Sequence, residues 1–208
     1  MASIHPPEVP ANDKIAAFWR WFQTIADDLA ADFEDEQLQA ELDKRIAQLG
    51  DISWELGPGI VEENALVMTP DGSRDWLPVT QHIVELAPRI SGWEFQSARP
   101  PRKWDMQFSI EGAGGTHLDI DARPWRYVLF TYPDNTFDIV LEQNNLHSVD
   151  DDDRYAAAVV LLDGVVGERR RLALLGGIEC VETLSADHAC KANPMHHLAQ
   201  HLDSLVVN

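Results

Sequence analysis

The fold is decided by residues 123–177, where the spacing of apolar residues changes from strand-like to helix-like. The stretch begins with Arg-Tyr-Val-Leu-Phe-Thr at Arg126–Thr131 and turns at Tyr-Pro-Asp-Asn, residues 132–135. Apolar residues then alternate with acidic ones over Phe137–Glu142, and the run Ala156–Leu162 is apolar on every side. Alternation is typical of a half-buried strand, whereas an all-round apolar helix indicates deep burial. The stretch therefore predicts a central strand, a partner strand and the most buried helix of the chain.

The N-terminal fifty residues carry two helical patterns. Their apolar residues recur every three or four positions, first at Phe18, Phe22, Ile25 and Leu29 and then at Leu38, Leu42, Ile46 and Leu49. Asn12 or Asp13 is expected to cap the first helix, and Asp32 offers a cap between the two. Residues 1–11 contain three prolines and no periodicity, which predicts a flexible lead-in. The prediction for 12–50 is a helical pair, with one long kinked helix as the alternative.

Short strands dominate from residue 51 onward. Alternation or β-branched runs predict strands near residues 52–56, 65–69, 93–96, 104–111, 117–122 and 178–181, with a short helix after Asp75. Gly176 and Gly177 are expected to end the buried helix, and Asn193 or Pro194 to start a terminal one. Strands that neighbour one another with helices between them predict an α+β fold. We expect a largely antiparallel sheet with helices packed on one face, preceded by the N-terminal helical pair.

The predicted order suggests one domain, with a core domain at 51–208 after the helical segment. Two β-β-α-β units occur in it, each with a Pro-Asp-Gly or Pro-Asp-Asn turn. The first turn precedes a helix and the second joins two strands, so whether the units are a repeat stays open. The glycines at 164 and 167 are expected to permit close packing of the buried helix.

The charge balance restricts the possible partners. The 208 residues include 35 acidic and 16 basic side chains, a net charge of −19. Such a chain repels nucleic acid and anionic membranes, and it suits a basic protein partner or simply solubility. Only Cys180 and Cys190 occur, without a Cys-x-x-Cys motif, which favours a reducing compartment. The N-terminus lacks a signal-peptide pattern and no apolar run reaches membrane-spanning length, so we expect a cytoplasmic protein.

The first candidate site lies on one predicted strand. His117, Asp119 and Asp121 are two residues apart, so their side chains share one face of the strand. Imidazole and carboxylate groups in that arrangement could ligate a metal ion or share a proton. The alternative is the solvent-facing side of an antiparallel hairpin, where polar residues are expected.

The second candidate is the histidine-rich C-terminal region. His197 and His201 are four residues apart on a predicted helix and could bind one zinc ion, with Cys190 or His188 as a third ligand. Residues 198–200 are Leu-Ala-Gln, so this is no His-Glu-x-x-His motif and no general base is supplied. The alternative is an amphipathic helix whose polar face happens to carry histidines.

Two basic clusters form the third candidate. One contains Arg99, Arg102 and Lys103, and the other contains Arg169, Arg170 and Arg171. If the fold brings them together, their guanidinium groups could bind an anion or an acidic partner. The alternative is that they neutralise the acidic side chains of the protein itself.

Three short strings resemble those of uncharacterised bacterial proteins. They are Trp-Glu-Leu-Gly-Pro at Trp54–Pro58, Ala-Pro-x-x-x-Gly-Trp-Glu-Phe at Ala87–Phe95, and Leu-Asp-Gly-x-x-Gly-Glu at Leu162–Glu168. The resemblance covers roughly residues 50–183. It implies a bacterial source and no particular activity.

The sequence contains no nucleophile elbow, phosphate-binding loop, zinc-finger spacing, EF-hand loop or dinucleotide fingerprint. No residue is therefore assigned a catalytic role and no cofactor is assigned, which favours a protein that is not an enzyme. Our leading hypothesis is a soluble acidic protein of the inhibitor, immunity or adaptor type that binds a basic protein. The alternative is a metal-dependent hydrolase or metal-binding protein that uses the first or second candidate site. The oligomeric state is left open.

Overall fold

A computed structural model describes residues 7–112 and 115–206; residues 1–6 of the predicted lead-in lie outside this range. Seven described helices are α1 (Asn12–Ala31), α2 (Glu36–Ile46), α3 (Leu77–Glu85), α4 (Asp151–Val166), α5 (Glu168–Leu174), α6 (Ala186–Ala189) and α7 (Leu198–Val206). The strands are β1 (Ser53–Pro58), β2 (Asn64–Thr69), β3 (Trp93–Gln96), β4 (Gln107–Gly112), β5 (Thr116–Asp121), β6 (Arg126–Thr131), β7 (Phe137–Glu142), β8 (Leu175–Val181) and β9 (Asn193–Pro194). The predicted α+β class is confirmed. None of the described helices is both long and apolar enough to cross a membrane.

The strands are divided among three sheets. Their strand orders are β1-β2-β3, β4-β5 and β8-β7-β6-β9. The pairs β1/β2, β4/β5, β6/β7 and β6/β9 are antiparallel, whereas β2/β3 and β7/β8 are parallel. Each parallel pair is joined through helices, as parallel strands require a long crossover connection. The predicted central strand, β6, lies between β7 and β9.

The two predicted β-β-α-β units share one connectivity. In each unit an antiparallel hairpin is followed by a helical crossover to a strand that pairs parallel with the second hairpin strand. The first unit runs from β1 through α3 to β3, and the second from β6 through α4 and α5 to β8. Their turns differ as expected: residues 70–72 follow β2, whereas residues 133–135 join β6 to β7.

The chain forms two compact units, Met1–Arg99 and Pro100–Asn208, and each has its own hydrophobic core. In the first unit, α1 and α2 share a core with sheet β1-β2-β3. The rings of Trp19, Phe22, Trp93 and Phe95 meet there, with centroid distances of 4.6 to 5.9 Å. The division at residue 50 suggested by the sequence therefore falls within this unit.

Two helix caps differ from the sequence prediction. The residue before α1 is Ala11, which makes no side-chain cap, so neither Asn12 nor Asp13 has that role. The cap of α2 is Asp35, whose carboxylate accepts from the backbone N–H groups of Gln37 and Leu38. Asp32 does not cap α2, because its carboxylate accepts from the Glu34 N–H within the turn that connects the two helices.

The second unit packs α4 and α7 on the inner face of sheet β8-β7-β6-β9. Its core contains Trp125, Tyr127, Phe137, Ile139, Leu161 and Leu162, all fully buried. The predicted deep burial of the α4 apolar run is thus confirmed for the side of the helix that faces the core. Asp150 caps α4 through the Asp153 N–H, and the following acidic residues lie in its first turn, where the helix dipole favours them.

The end of the buried helix was predicted wrongly. Gly167 has a positive φ of 84° and separates α4 from α5, so the helical region is interrupted nine residues before Gly176. Gly176 and Gly177 lie inside strand β8, where the Gly177 N–H donates to the Asp138 carboxylate at 2.5 Å. The glycines fit because a Cβ at either position would lie 2.9 Å from Asp138 Oδ1.

Candidate functional site

His117, Asp119 and Asp121 lie on the open face of the β4-β5 hairpin, opposite Glu111, Ser109 and Gln107. The side chains of His117 and Asp119 are 71% and 84% exposed. The Ser109 hydroxyl donates to Asp119 at 2.7 Å, and His117 Nε2 lies 3.2 Å from the same carboxylate. The Asp119 carboxylate therefore lies between the Ser109 hydroxyl and the His117 imidazole.

Asp121 on the same face is paired with Arg123. Its carboxylate accepts from Arg123 Nε and Nη2 at 2.8 and 2.5 Å, and these bonds lower the pKa of Asp121. A shallow groove of about 410 Å³ runs beside Gln107–Ser109 and Asp119–Asp121. Across the described ranges, no three His, Cys, Asp or Glu side chains are placed to hold a metal ion together.

The tail histidines have separate neighbours. His201 Nδ1 lies 2.9 Å from the hydroxyl of Tyr127, whose burial raises its pKa to about 12. The ring of His188 packs edge-on against Phe130 at 5.3 Å, and His197 contacts His196 at 4.1 Å. The thiol of Cys190 donates to the carbonyl of Asp187. None of these contacts joins one predicted zinc ligand to another.

The arginines of the basic clusters mostly contact the protein's own acidic groups. Arg99 bonds to Glu55 at 2.5 Å and lies 3.3 Å from Asp71. Arg170 contacts Asp203 at 2.6 Å, and the buried Arg171 bonds to Asp163 at 2.5 Å. These pairs agree with the alternative in which the clusters balance internal charge.

The remaining two arginines make other contacts or face outward. The Arg102 guanidinium lies 5.9 Å from the centre of the Trp104 ring, and its backbone N–H donates to the carbonyl of Gly164. Arg169 is exposed. The boundary between the two compact units falls between Arg99 and Arg102, so Arg99 belongs to the first unit and the other four arginines belong to the second.

A loop that the sequence analysis did not single out exposes the most apolar surface. Residues Gly59–Glu63 join β1 to β2, and we call them the aliphatic tip. Ile60 and Val61 are 66% and 86% exposed, the highest values among the large apolar side chains of residues 7–112 and 115–206. Glu62 and Glu63 beside them are exposed as well. The tip therefore presents two adjacent aliphatic side chains next to two carboxylates.

The aliphatic tip is held by one carboxylate from β3. Glu94 Oε1 accepts from the Ile60 N–H at 2.8 Å, and Oε2 accepts from Val61 and Glu62 at 2.8 and 3.1 Å. Partial burial acts to raise the pKa of Glu94, but these three bonds and a fourth from Gln96 outweigh it and hold the pKa at about 2. The carboxylate is therefore ionised at neutral pH and fixes the loop backbone.

Gly59 makes this contact possible. A Cβ at position 59 would lie 2.4 Å from the carbonyl oxygen of Glu62 and 3.0 Å from Glu94 Cδ. The Gly59 N–H also donates to the carbonyl of Glu63 at 3.2 Å, which closes the loop. Loops are usually polar, so the two adjacent aliphatic residues between Gly59 and Glu62 were a sign in the sequence that this loop is unusual.

No protein-family model, curated protein or solved structure matches this chain.

Proposed function

We propose that this chain is an acidic protein of the inhibitor, immunity or adaptor type, which binds a basic protein through its aliphatic tip. The observation that carries the proposal is the pair Ile60 and Val61, exposed on a loop that Glu94 holds in one conformation. A single exposed apolar side chain is ordinary on a protein surface. Two adjacent ones on a fixed loop are suited to enter a pocket of a partner.

The energetics favour such a contact. Burial of a Val or Ile side chain contributes about 1.5–3 kcal/mol in each case. A loop that is already ordered loses little conformational freedom on binding, so more of this free energy is retained as affinity. Three hydrogen bonds to one carboxylate order the tip before any partner arrives.

Charge defines the kind of partner. Glu62 and Glu63 flank the aliphatic residues, and the whole chain carries a net charge of −19. The partner pocket is expected to have an apolar floor and a rim of Lys and Arg. Long-range attraction between opposite charges would speed association and make it sensitive to salt.

Capture from a lysate of the source cells, with the full chain as bait, tests this function. Wild-type protein should recover a basic protein that is released as the salt concentration rises. The double variant Ile60→Ser, Val61→Ser should recover at least about tenfold less, because it removes both buried aliphatic groups. The matched control is Val9→Ser, which changes an exposed valine elsewhere and should bind like the wild type.

Two outcomes would contradict the proposal in different ways. Equal capture by wild type and the double variant would remove the aliphatic tip as the docking site. Recovery of no basic, salt-released protein by any bait would contradict the function itself.

A further inference from the structure

A second surface with binding chemistry lies on the outer face of the four-stranded sheet, away from α4. Cross-strand pairing places Phe130 beside Asp138 and Val140 beside Glu179 on this face. A groove of about 350 Å³ opens there, which we call the outer groove. Its lining includes Phe130, Asp138, Val140, Gly177, Glu179 and His188.

One wall of the outer groove is aromatic. Phe130, the second-last residue of β6, is 39% exposed, and its ring meets that of His188 nearly at right angles, at 73°. The contact with His188 orients the phenyl ring. Tyr132, the first residue after this strand, is 44% exposed. The groove therefore presents an accessible ring whose position is set by a neighbour.

The other wall of the outer groove is acidic. Glu179 is exposed at the groove, and Asp138 also lines it, fixed by the Gly177 N–H on one oxygen and by the Tyr132 hydroxyl at 2.6 Å on the other. Gly177 contributes no side chain, and a Cβ there would crowd the Asp138 carboxylate.

We propose that the outer groove binds an arginine side chain presented by a basic partner protein. A guanidinium can stack on the exposed Phe130 ring and donate two parallel hydrogen bonds to the Glu179 carboxylate, and the fixed charge of Asp138 strengthens the attraction. Arginine fits better than lysine because its planar group makes both contacts together. Anionic ligands are repelled by the same two carboxylates.

This proposal extends the proposed function by naming the chemistry of the partner. It rests on that function in one respect, that the partner is a basic protein. Its observations belong to the second compact unit and are independent of the aliphatic tip. A direct measurement with a defined peptide can therefore succeed even if no partner of the tip is found.

The test is a titration of ¹⁵N-labelled full-length protein with the blocked peptide Gly-Gly-Arg-Gly-Gly at low salt, followed by NMR. Backbone amides of Phe130, Val140, Gly177 and Glu179 should shift in a saturable way. Glu179→Gln should weaken binding about tenfold through the lost charge-assisted bonds. Phe130→Leu, which keeps apolar bulk but removes the aromatic face, should weaken it about threefold.

Three comparisons make the result decisive. Glu111→Gln removes an equal charge from the β4-β5 hairpin and should leave binding unchanged. A peptide with citrulline, the neutral isostere of arginine, should produce no shifts, and a lysine peptide should bind more weakly. Shifts spread over all acidic surfaces, or equal losses in Glu111→Gln and Glu179→Gln, would overturn the proposal. Unchanged binding in Phe130→Leu would overturn the stacking contact.

Discussion

Three backbone N–H groups of the aliphatic tip share one acceptor, the carboxylate of Glu94. Hydrogen bonds to an ionised group contribute more than neutral ones, and here they order a loop that has little packing of its own. At the scale of the residue, a single acidic side chain thus converts two exposed aliphatic residues into a fixed surface. The same contact makes the stability of the first unit depend on pH.

Glu94→Gln should lower the free energy of unfolding by about 1–2 kcal/mol near pH 7, since a neutral amide is a weaker acceptor. The pKa of Glu94 in the folded protein, about 2, is below the ordinary 4.5. The carboxylate therefore makes its full contribution to stability above about pH 4.5, and this contribution is lost as the pH falls toward 2.

Urea unfolding at several pH values measures this effect. The difference between wild type and Glu94→Gln should shrink as the solution becomes more acidic. Glu63→Gln removes a neighbouring exposed charge and serves as the control, with a change within about 0.5 kcal/mol. A difference that persists unchanged below pH 3 would show that the charge of Glu94 is not what holds the tip.

At the scale of the element, α4 depends on one small residue for its packing. A Cβ at Gly164 would lie 2.1 Å from Trp104 Cζ2, so the indole ring occupies the place of a side chain. The sequence prediction that this glycine permits close packing is confirmed. Gly167 has a different role, because its positive φ of 84° lets the chain turn from α4 into α5.

Gly164→Ala should destabilise the protein by about 1–3 kcal/mol, although alanine is the better helix former, because the ring of Trp104 must move. Thermal or urea unfolding gives the measurement. Gly57→Ala is the matched control, since a Cβ there would meet nothing within 4 Å, and it should be close to neutral. Equal stability of Gly164→Ala and wild type would mean that Trp104 can shift freely.

At the scale of the whole molecule, the hydrophobic side chains fall into two main clusters that do not share residues. One lies entirely within residues 15–95, and the other within residues 104–205. A unit of about a hundred residues with its own core is large enough to fold by itself. The interpretation of the chain as one domain stays a prediction. Because the cores are separate, it can be tested by asking whether one unit folds without the other.

The fragment 100–208 should fold without the first unit. Its Trp125 is fully buried and donates to Asn145 at 2.7 Å, so blue-shifted fluorescence, dispersed NMR signals and one cooperative unfolding transition are expected. The variant Leu161→Ala within the fragment should lower its stability by about 2–5 kcal/mol, which confirms a specific core. A fragment without cooperative unfolding would show that the two units fold as one.

The sequence by itself determined the fold class, most elements and the buried stretch, because these depend on local periodicity and turn residues. The alternation in Phe137–Glu142 and the apolar run at Ala156–Leu162 were enough to predict a strand and a buried helix. The candidate metal ligands were also visible, but their directions were not. Whether His188, His197 and His201 converge depends on contacts with residues such as Phe130 and Tyr127, which are distant in sequence.

Only the tertiary structure decided the two proposed binding surfaces. The parallel pairing of β2 with β3 brings Glu94 to a loop more than thirty residues earlier, and the pairing of β7 with β8 brings Glu179 beside Val140. Likewise, Gly176 and Gly177 resemble a helix end in the sequence, but they lie in β8 beside Asp138. Such contacts follow from strand register, which is set by the packing of the whole sheet rather than by neighbouring residues.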